Sequence, residues 1–315
     1  MTDAAPYHAD IAGNPDGICH WLTTVDGVRI RVGHWPLNGA SGTVIIFPGR
    51  TEYVEKYGRA ASEFAKRGFA SVAIDWRGQG IADRLLDNRA IGHVDNFEDY
   101  QLDARAMLNH VKSLGLPKPY HLLGHSMGGC IGLRALYDGL DVASAAFSAP
   151  MWGIKMSAAL RPIAWGLSEV SKQLGFGGVF APGQQAETYV LRSTADDNTL
   201  TSDASNFNIL QNQLKTYPDL ALGGPSLHWL NEALREMRSL SVRPAPDLPC
   251  VTFLGSEEEI VDPSRIYERM EGWSNGELIV LDTGRHEVLM EAPDIRTRVF
   301  DSAAALFSQY TPEMA

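Results

Sequence analysis

The stretch Leu122-Leu123-Gly124-His125-Ser126-Met127-Gly128-Gly129-Cys130 limits the fold more than any other part of the chain. Tyr120, Leu122 and Leu123 read as an apolar strand, and Cys130, Ile131, Leu133, Ala135 and Leu136 recur at helical spacing. Between them lies G-x-S-x-G, a sharp strand-to-helix turn that exposes a serine. The serine backbone in such a turn is strained. A side chain at 124 or 128 would meet neighbouring backbone, which explains glycine at both places. The Ser126 hydroxyl then stands above a sheet edge with a helix N-terminus beneath it, and Ser126 is the candidate nucleophile.

The rest of the chain supplies the sheet. His20 to Val25 and Val28 to Val32 alternate in polarity around Asp26-Gly27 and form a hairpin. Uniformly apolar strands follow at Val44 to Phe47, Phe69 to Ile74, Ala143 to Phe147, Cys250 to Leu254 and Leu278 to Leu281. Helical patterns separate them at Tyr53 to Arg67, Phe97 to Leu114, Pro263 to Gly272 and Pro293 to Ser308. Strands without polar alternation are buried on both faces. The class is therefore α/β, a doubly wound and mostly parallel sheet. Between 150 and 242 the rhythm breaks into helical stretches carrying Trp152, Met156, Trp165, Phe176, Phe180, Tyr189 and Trp229. This reads as an inserted helical cap, with most of these side chains packing it on the body and Trp152 and Trp229 as candidates to line a substrate pocket. The expected organisation is a loose N-terminal arm at 1–17, a core at 18–149 and 243–315, and the cap at 150–242.

Asp and Glu number 38 against 27 Lys and Arg, giving a net charge of −11, which argues against nucleic acid and against adhesion to anionic lipid by charge alone. Cys19, Cys130 and Cys250 are odd in number and scattered, and read as buried thiols of a reducing compartment. The N-terminal stretch has no basic and apolar leader pattern, and no run of 18 apolar residues occurs. The expectation is a cytoplasmic protein, with peripheral contact at the inner face of the membrane left open.

A serine nucleophile needs a positioned base and a carboxylate that orients it. In an open α/β sheet these come from loops after later strands. One such loop is Gly255-Ser256-Glu257-Glu258-Glu259-Ile260-Val261-Asp262, and the next is Asp282-Thr283-Gly284-Arg285-His286-Glu287. His286 is the expected base. Glu258 is the first choice of acid, three residues past the glycine that ends its strand, and Asp262 is the reserve. Two backbone donors for an oxyanion are expected from Met127, just after the serine, and from Arg50, after the Val44 to Phe47 strand. The Arg50 guanidinium is free to pair with Glu52 or to reach towards the substrate, and an ion pair that holds the loop is the expected use. No metal or organic cofactor is implied, because the loops carry no ligand cluster, dinucleotide fingerprint or phosphate loop.

The run FPGRTEYVEKYGRAASEFAKRGFASVAIDWRGQG, the elbow GHSMGG, and the later GSEEEIVD and GRHEVLME resemble the α/β-hydrolase branch that contains bacterial lysophospholipases and monoacylglycerol lipases, also labelled the serine aminopeptidase type. The resemblance spans roughly residues 25 to 310, with LTSD at 200–203 and LALGGPSLHWL at 220–230 similar as well. It implies an α/β-hydrolase fold with Ser126 as nucleophile, Glu258 as acid, His286 as base and the amides of Arg50 and Met127 at the oxyanion. It also implies a single-chain lipid ester as substrate. Two places depart from the pattern. Glu258 stands where many relatives have Asp, and Ile81-Ala82-Asp83 follows Gly80 where a small polar residue and glycine are commoner. Two rival readings are an aminopeptidase-type amide hydrolase and a non-catalytic ligand-binding homologue.

Overall fold

The computed structural model describes residues 3–156 and 177–310. Nine strands among them form one sheet: β1 (Asp3–Ala5), β2 (Ile18–Thr23), β3 (Arg29–Trp35), β4 (Thr43–Phe47), β5 (Ala70–Asp75), β6 (Tyr120–His125), β7 (Ser144–Ser148), β8 (Cys250–Gly255) and β9 (Gly276–Leu281). Their order is β1-β2-β3-β5-β4-β6-β7-β8-β9. The first three pairings are antiparallel and all later ones, from β5 to β9, are parallel. This is an α/β-hydrolase fold. β4 to β8 are buried at every position: apolar residues dominate them, and the polar ones they carry, such as Asp75, His121 and Ser148, are buried too.

Helices cover both faces. α2 (Gly58–Lys66) and α9 (Pro293–Ser308) place Phe64, Phe300 and Phe307 on one side. α3 (Tyr100–Ser113), α4 (Met127–Tyr137) and α8 (Pro263–Glu271) cover the other with Met107, Ile131, Leu133 and Ile266. The described part of 150–242 contains α5 (Tyr189–Arg192), α6 (Ala204–Thr216) and α7 (Leu227–Ser241). Arg134 of α4 grips Glu236 of α7 through two bonds of 2.6 Å, and Leu210 and Leu214 of α6 pack with Tyr53 and Met290. Trp165 and Phe176 lie outside the described residues.

The N-terminal segment corrects one expectation. Residues 3–12 are not a loose arm: β1 pairs with β2, and α1 (Ala9–Ala12) buries Ile11 and Ala12. The Ile11 carbonyl accepts from Gln213 of α6 at 2.9 Å, and the Pro6 carbonyl accepts from Arg31 at 2.9 Å. Small polar residues hid this because the segment is held by backbone pairing and by partners far away in sequence.

The departure at Ile81-Ala82-Asp83 is absorbed locally. The Ile81 amide donates to Asp75 at 2.9 Å, the Asp83 amide donates to the Arg29 carbonyl at 2.9 Å, and Ile81 packs beside the cluster of Tyr53, Leu210 and Leu220.

Arg31 ties the antiparallel and parallel halves of the sheet together. Its guanidinium donates to Asp75 at 2.8 Å and to both oxygens of Glu55 at 2.7 Å, with all three side chains fully buried. Burial pushes the Asp75 carboxyl up while Arg31 opposes it. Replacing Arg31 by Met would leave two carboxylates buried without their cation. The expected loss is about 3–5 kcal/mol in urea unfolding, and an unchanged midpoint would contradict this role for the cluster.

Candidate active site

β6 ends at His125 and α4 begins at Met127, so Ser126 alone makes the turn, with φ 49° and ψ −118°. It is locked from three sides. Its amide donates to the Ser148 carbonyl at 3.0 Å, and its carbonyl accepts from Gly129 at 2.9 Å and Met151 at 2.8 Å. A Cβ at Gly128 would lie 1.9 Å from the Phe47 carbonyl oxygen, so glycine lets α4 rest directly on the end of β4. Four non-glycine residues among those described have positive φ: Thr51, Ser126, Ala149 and Thr283. Each follows the C-terminal end of a parallel strand by one to four residues. Backbone strain of this kind collects where geometry is imposed for function.

The acid and histidine loops lie side by side at the same edge. The Ser256 amide donates to the Leu281 carbonyl and the Glu257 amide to the Gly284 carbonyl, each at 2.9 Å. Across this seam His286 Nδ1 meets Glu258 Oε2 at 2.7 Å, with both residues buried. The other oxygen, Oε1, accepts from the amides of Ile260 at 2.6 Å and Val261 at 3.0 Å. Burial raises the Glu258 carboxyl, but His286 and these amides outweigh it and hold it below its ordinary value. A carboxylate on Nδ1 fixes the tautomer and leaves Nε2 for proton transfer. The His286 ring centre is 4.9 Å from that of His125, the neighbour of Ser126. Asp262, the reserve acid, caps α8 by accepting from the Ser264 amide at 3.1 Å.

The amides of Arg50 and Met127 have no acceptor among the described residues. The Arg50 side chain departs from expectation. It does not pair with Glu52. Its Nη2 donates to the Gly223 carbonyl at 2.6 Å, its guanidinium lies 5.3 Å from the Trp229 ring centre, and burial pushes its pKa down to about 10. Glu52 is engaged elsewhere, so the pair expected from nearness in sequence has no partner. Trp229 and Trp152 are both buried. Trp229 donates to the Tyr100 hydroxyl at 3.1 Å, and Trp152 donates to the Gly129 carbonyl at 3.2 Å and stacks with Trp273.

Beneath the elbow sits a charged network that reading the sequence by spacing did not single out. Lys56 Nζ contacts Glu52 and lies 2.6 Å from Glu287. Glu52 also accepts from the Tyr57 hydroxyl at 2.5 Å and from the Gly49 amide. His125 Nε2 is 3.4 Å from both carboxylates, while its Nδ1 meets Ser148. Glu287 is further held by residues 200–202: its amide donates to the Leu200 carbonyl at 2.7 Å, and Thr201 and Ser202 bind Met290 and Glu291. The only advance signal was the clustering of Glu52, Lys56, Tyr57, His125 and Glu287 within the resembling motifs.

Comparison with known proteins places this geometry. The family model for serine aminopeptidase, S33 (Hydrolase_4) matches residues 38–293. The chain is 28% identical over 307 residues to lysophospholipase L2 of Escherichia coli, covering 92% of this chain and 87% of that one. It is 27% identical over 272 residues to the probable lysophospholipase L2 of Haemophilus influenzae, covering 85% and 84%. Among solved structures it is similar to a soluble variant of monoglyceride lipase from Saccharomyces cerevisiae in complex with a substrate analogue, with TM-score 0.73, 19% identity and 93% and 95% coverage.

The network gives a signed pH dependence. Burial opposes the Glu287 carboxylate, but Lys56, His125 and His286 hold it well below 4.5; its stabilisation is whole above that pH and lost as pH falls towards its depressed value. Burial opposes the charged His125 ring, yet Glu287 and Glu52 hold it above 6.5; its stabilisation is whole below that pH and lost as pH rises through its raised value. The urea midpoint is therefore expected to peak between 4.5 and 6.5 and fall on both sides. Glu287→Gln should flatten both limbs and lower the midpoint throughout. A variant curve parallel to wild type would contradict the network.

Proposed function

The chain belongs to the serine aminopeptidase, S33 family of α/β-hydrolases and is a carboxylic ester hydrolase; from that premise we propose that it cleaves single-chain lipid esters, lysophospholipids or monoacylglycerols, through an acyl-enzyme on Ser126. In this reading the Ser126 hydroxyl attacks the acyl carbonyl while His286 Nε2 takes its proton. The amides of Met127 and Arg50 hold the oxyanion, each contributing roughly 3–4 kcal/mol of barrier lowering. His286 passes the proton to the departing glycerol or glycerophospho-alcohol. Water, deprotonated by the same imidazole, then releases the fatty acid. Glu258 keeps the ring oriented and stabilises its charged form.

The observation that carries the reading is the 2.7 Å bond from Glu258 to His286, made between loops 28 residues apart and at the same sheet edge as the strained Ser126. The substrate class rests on the named activities of the lysophospholipase L2 and monoglyceride lipase relatives. Residues 150–242 act as the cap in this scheme, on a core formed by 18–149 and 243–315. No helix among the described residues is long and apolar enough to cross a membrane. The lipid would then be reached from solution or by peripheral contact.

Turnover should be compared on lysophosphatidylethanolamine, monoacylglycerol, a short aryl ester and an amino-acid arylamide. Ser126→Ala is expected to lower kcat on every ester by roughly 10⁵–10⁶-fold, and Glu258→Gln by roughly 10⁴-fold. Lipid esters should lead in kcat/KM. Preference for the arylamide would replace this reading with a peptidase, and a folded wild type inert on all four would replace it with a ligand-binding protein.

A further inference from the structure

Away from the elbow, three histidines converge, each with one buried ring nitrogen that has no hydrogen-bond partner among the described residues. His20 lies on β2, His34 on β3 and His110 in the last turn of α3. In the antiparallel register His20 faces Val32 and His34 faces Ile18, so the two histidines are diagonal neighbours on the sheet face that α3 covers. Ring centres are 5.5 Å apart for His20 and His34, and 4.8 Å for His20 and His110. Nδ1 of His20, Nδ1 of His34 and Nε2 of His110 are buried without a partner among the described residues, and His34 and His110 are only 6% and 4% exposed.

We propose that His20, His34 and His110 bind a divalent cation of borderline softness, zinc foremost, as a structural site that ties the antiparallel edge of the sheet to α3. One ligand nitrogen from each ring lies within 4.8 Å of the other two. Tetrahedral zinc at about 2.0–2.1 Å from each nitrogen needs them roughly 3.4 Å apart, a closure that small side-chain rotations supply. Three imidazoles without a thiolate or carboxylate select zinc, cobalt, nickel or copper over magnesium or calcium. A surface groove of about 670 Å³, lined by Asp3, Thr23, Arg105 and Asn109, touches His110 at one side of the cluster.

A second cluster, Glu52, His125 and Glu287, has similar spacing. There Lys56 Nζ already sits on both carboxylates, so the place of a cation is filled. At the three histidines no ammonium or guanidinium plays that part among the described interactions.

The test uses the full chain without a histidine tag, dialysed against ZnCl₂ and, separately, CoCl₂. The expected result is one retained zinc per chain by elemental analysis, the visible absorption of tetrahedral cobalt(II), and a thermal midpoint raised by zinc. His20→Asn, at a half-buried position that tolerates a smaller side chain, and His110→Gln should each weaken zinc binding by about 100-fold or more and abolish the zinc-dependent rise. His8→Ala, outside the cluster, should leave stoichiometry unchanged. Absence of retained zinc in the wild type, or retention undiminished in both His20→Asn and His110→Gln, would overturn the proposal.

Discussion

The backbone of Ser126 is the constraint on which the site depends. A serine at φ 49° is held in a conformation that costs on the order of 1–3 kcal/mol, and it persists because the surrounding main chain leaves it no alternative. Its amide and carbonyl are spoken for by Ser148, Gly129 and Met151, and α4 is seated against the Phe47 carbonyl through Gly128. That seating brings the N-terminus of α4 beside the loop carrying Arg50. That close approach depends on one packing decision, the choice of glycine at 128.

Orientation of His286 is built from farther away. The acid and histidine loops are stitched to each other by backbone bonds, and the histidine loop is fastened to residues 198–201 of the intervening segment. Arg285 donates to the carbonyls of Asn198 at 2.7 Å and Thr201 at 3.2 Å, while its amide donates to Glu291. Below, Lys56 and His125 balance Glu52 and Glu287 in a site with almost no water contact. Such a group is strong when complete and costly when one member is removed. The segment that reads as a cap thereby also clamps the loop that bears His286.

Much of this was legible in the chain. The elbow, the apolar strands and the final helix, expected and found from Pro293 to Ser308, carry short-range signals of apolar spacing, glycine and turn residues. Glu258 rather than Asp262 contacts His286, as its place after the strand suggested, and Asp262 had the alternative use of capping α8. What stayed hidden was long-range pairing. Residues 3–12 read as loose because their partners, Arg31 and Gln213, lie far along the chain, and nearness in sequence points Arg50 to Glu52 whereas its acceptor is the carbonyl of Gly223. The histidines at 20, 34 and 110 carry no common spacing, and only strand register and the placement of α3 bring them together.

The central claim is that Ser126 is the nucleophile and that His286 activates it. The most direct measurement is covalent labelling with an alkyl fluorophosphonate, followed by intact mass and peptide mapping across pH in wild type and His286→Ala. The expected result is a single adduct on Ser126, formed rapidly by the wild type along a sigmoidal pH dependence and at least about 10³-fold more slowly by the variant. Labelling at another residue, or a Ser126 adduct formed as fast without His286, would contradict it.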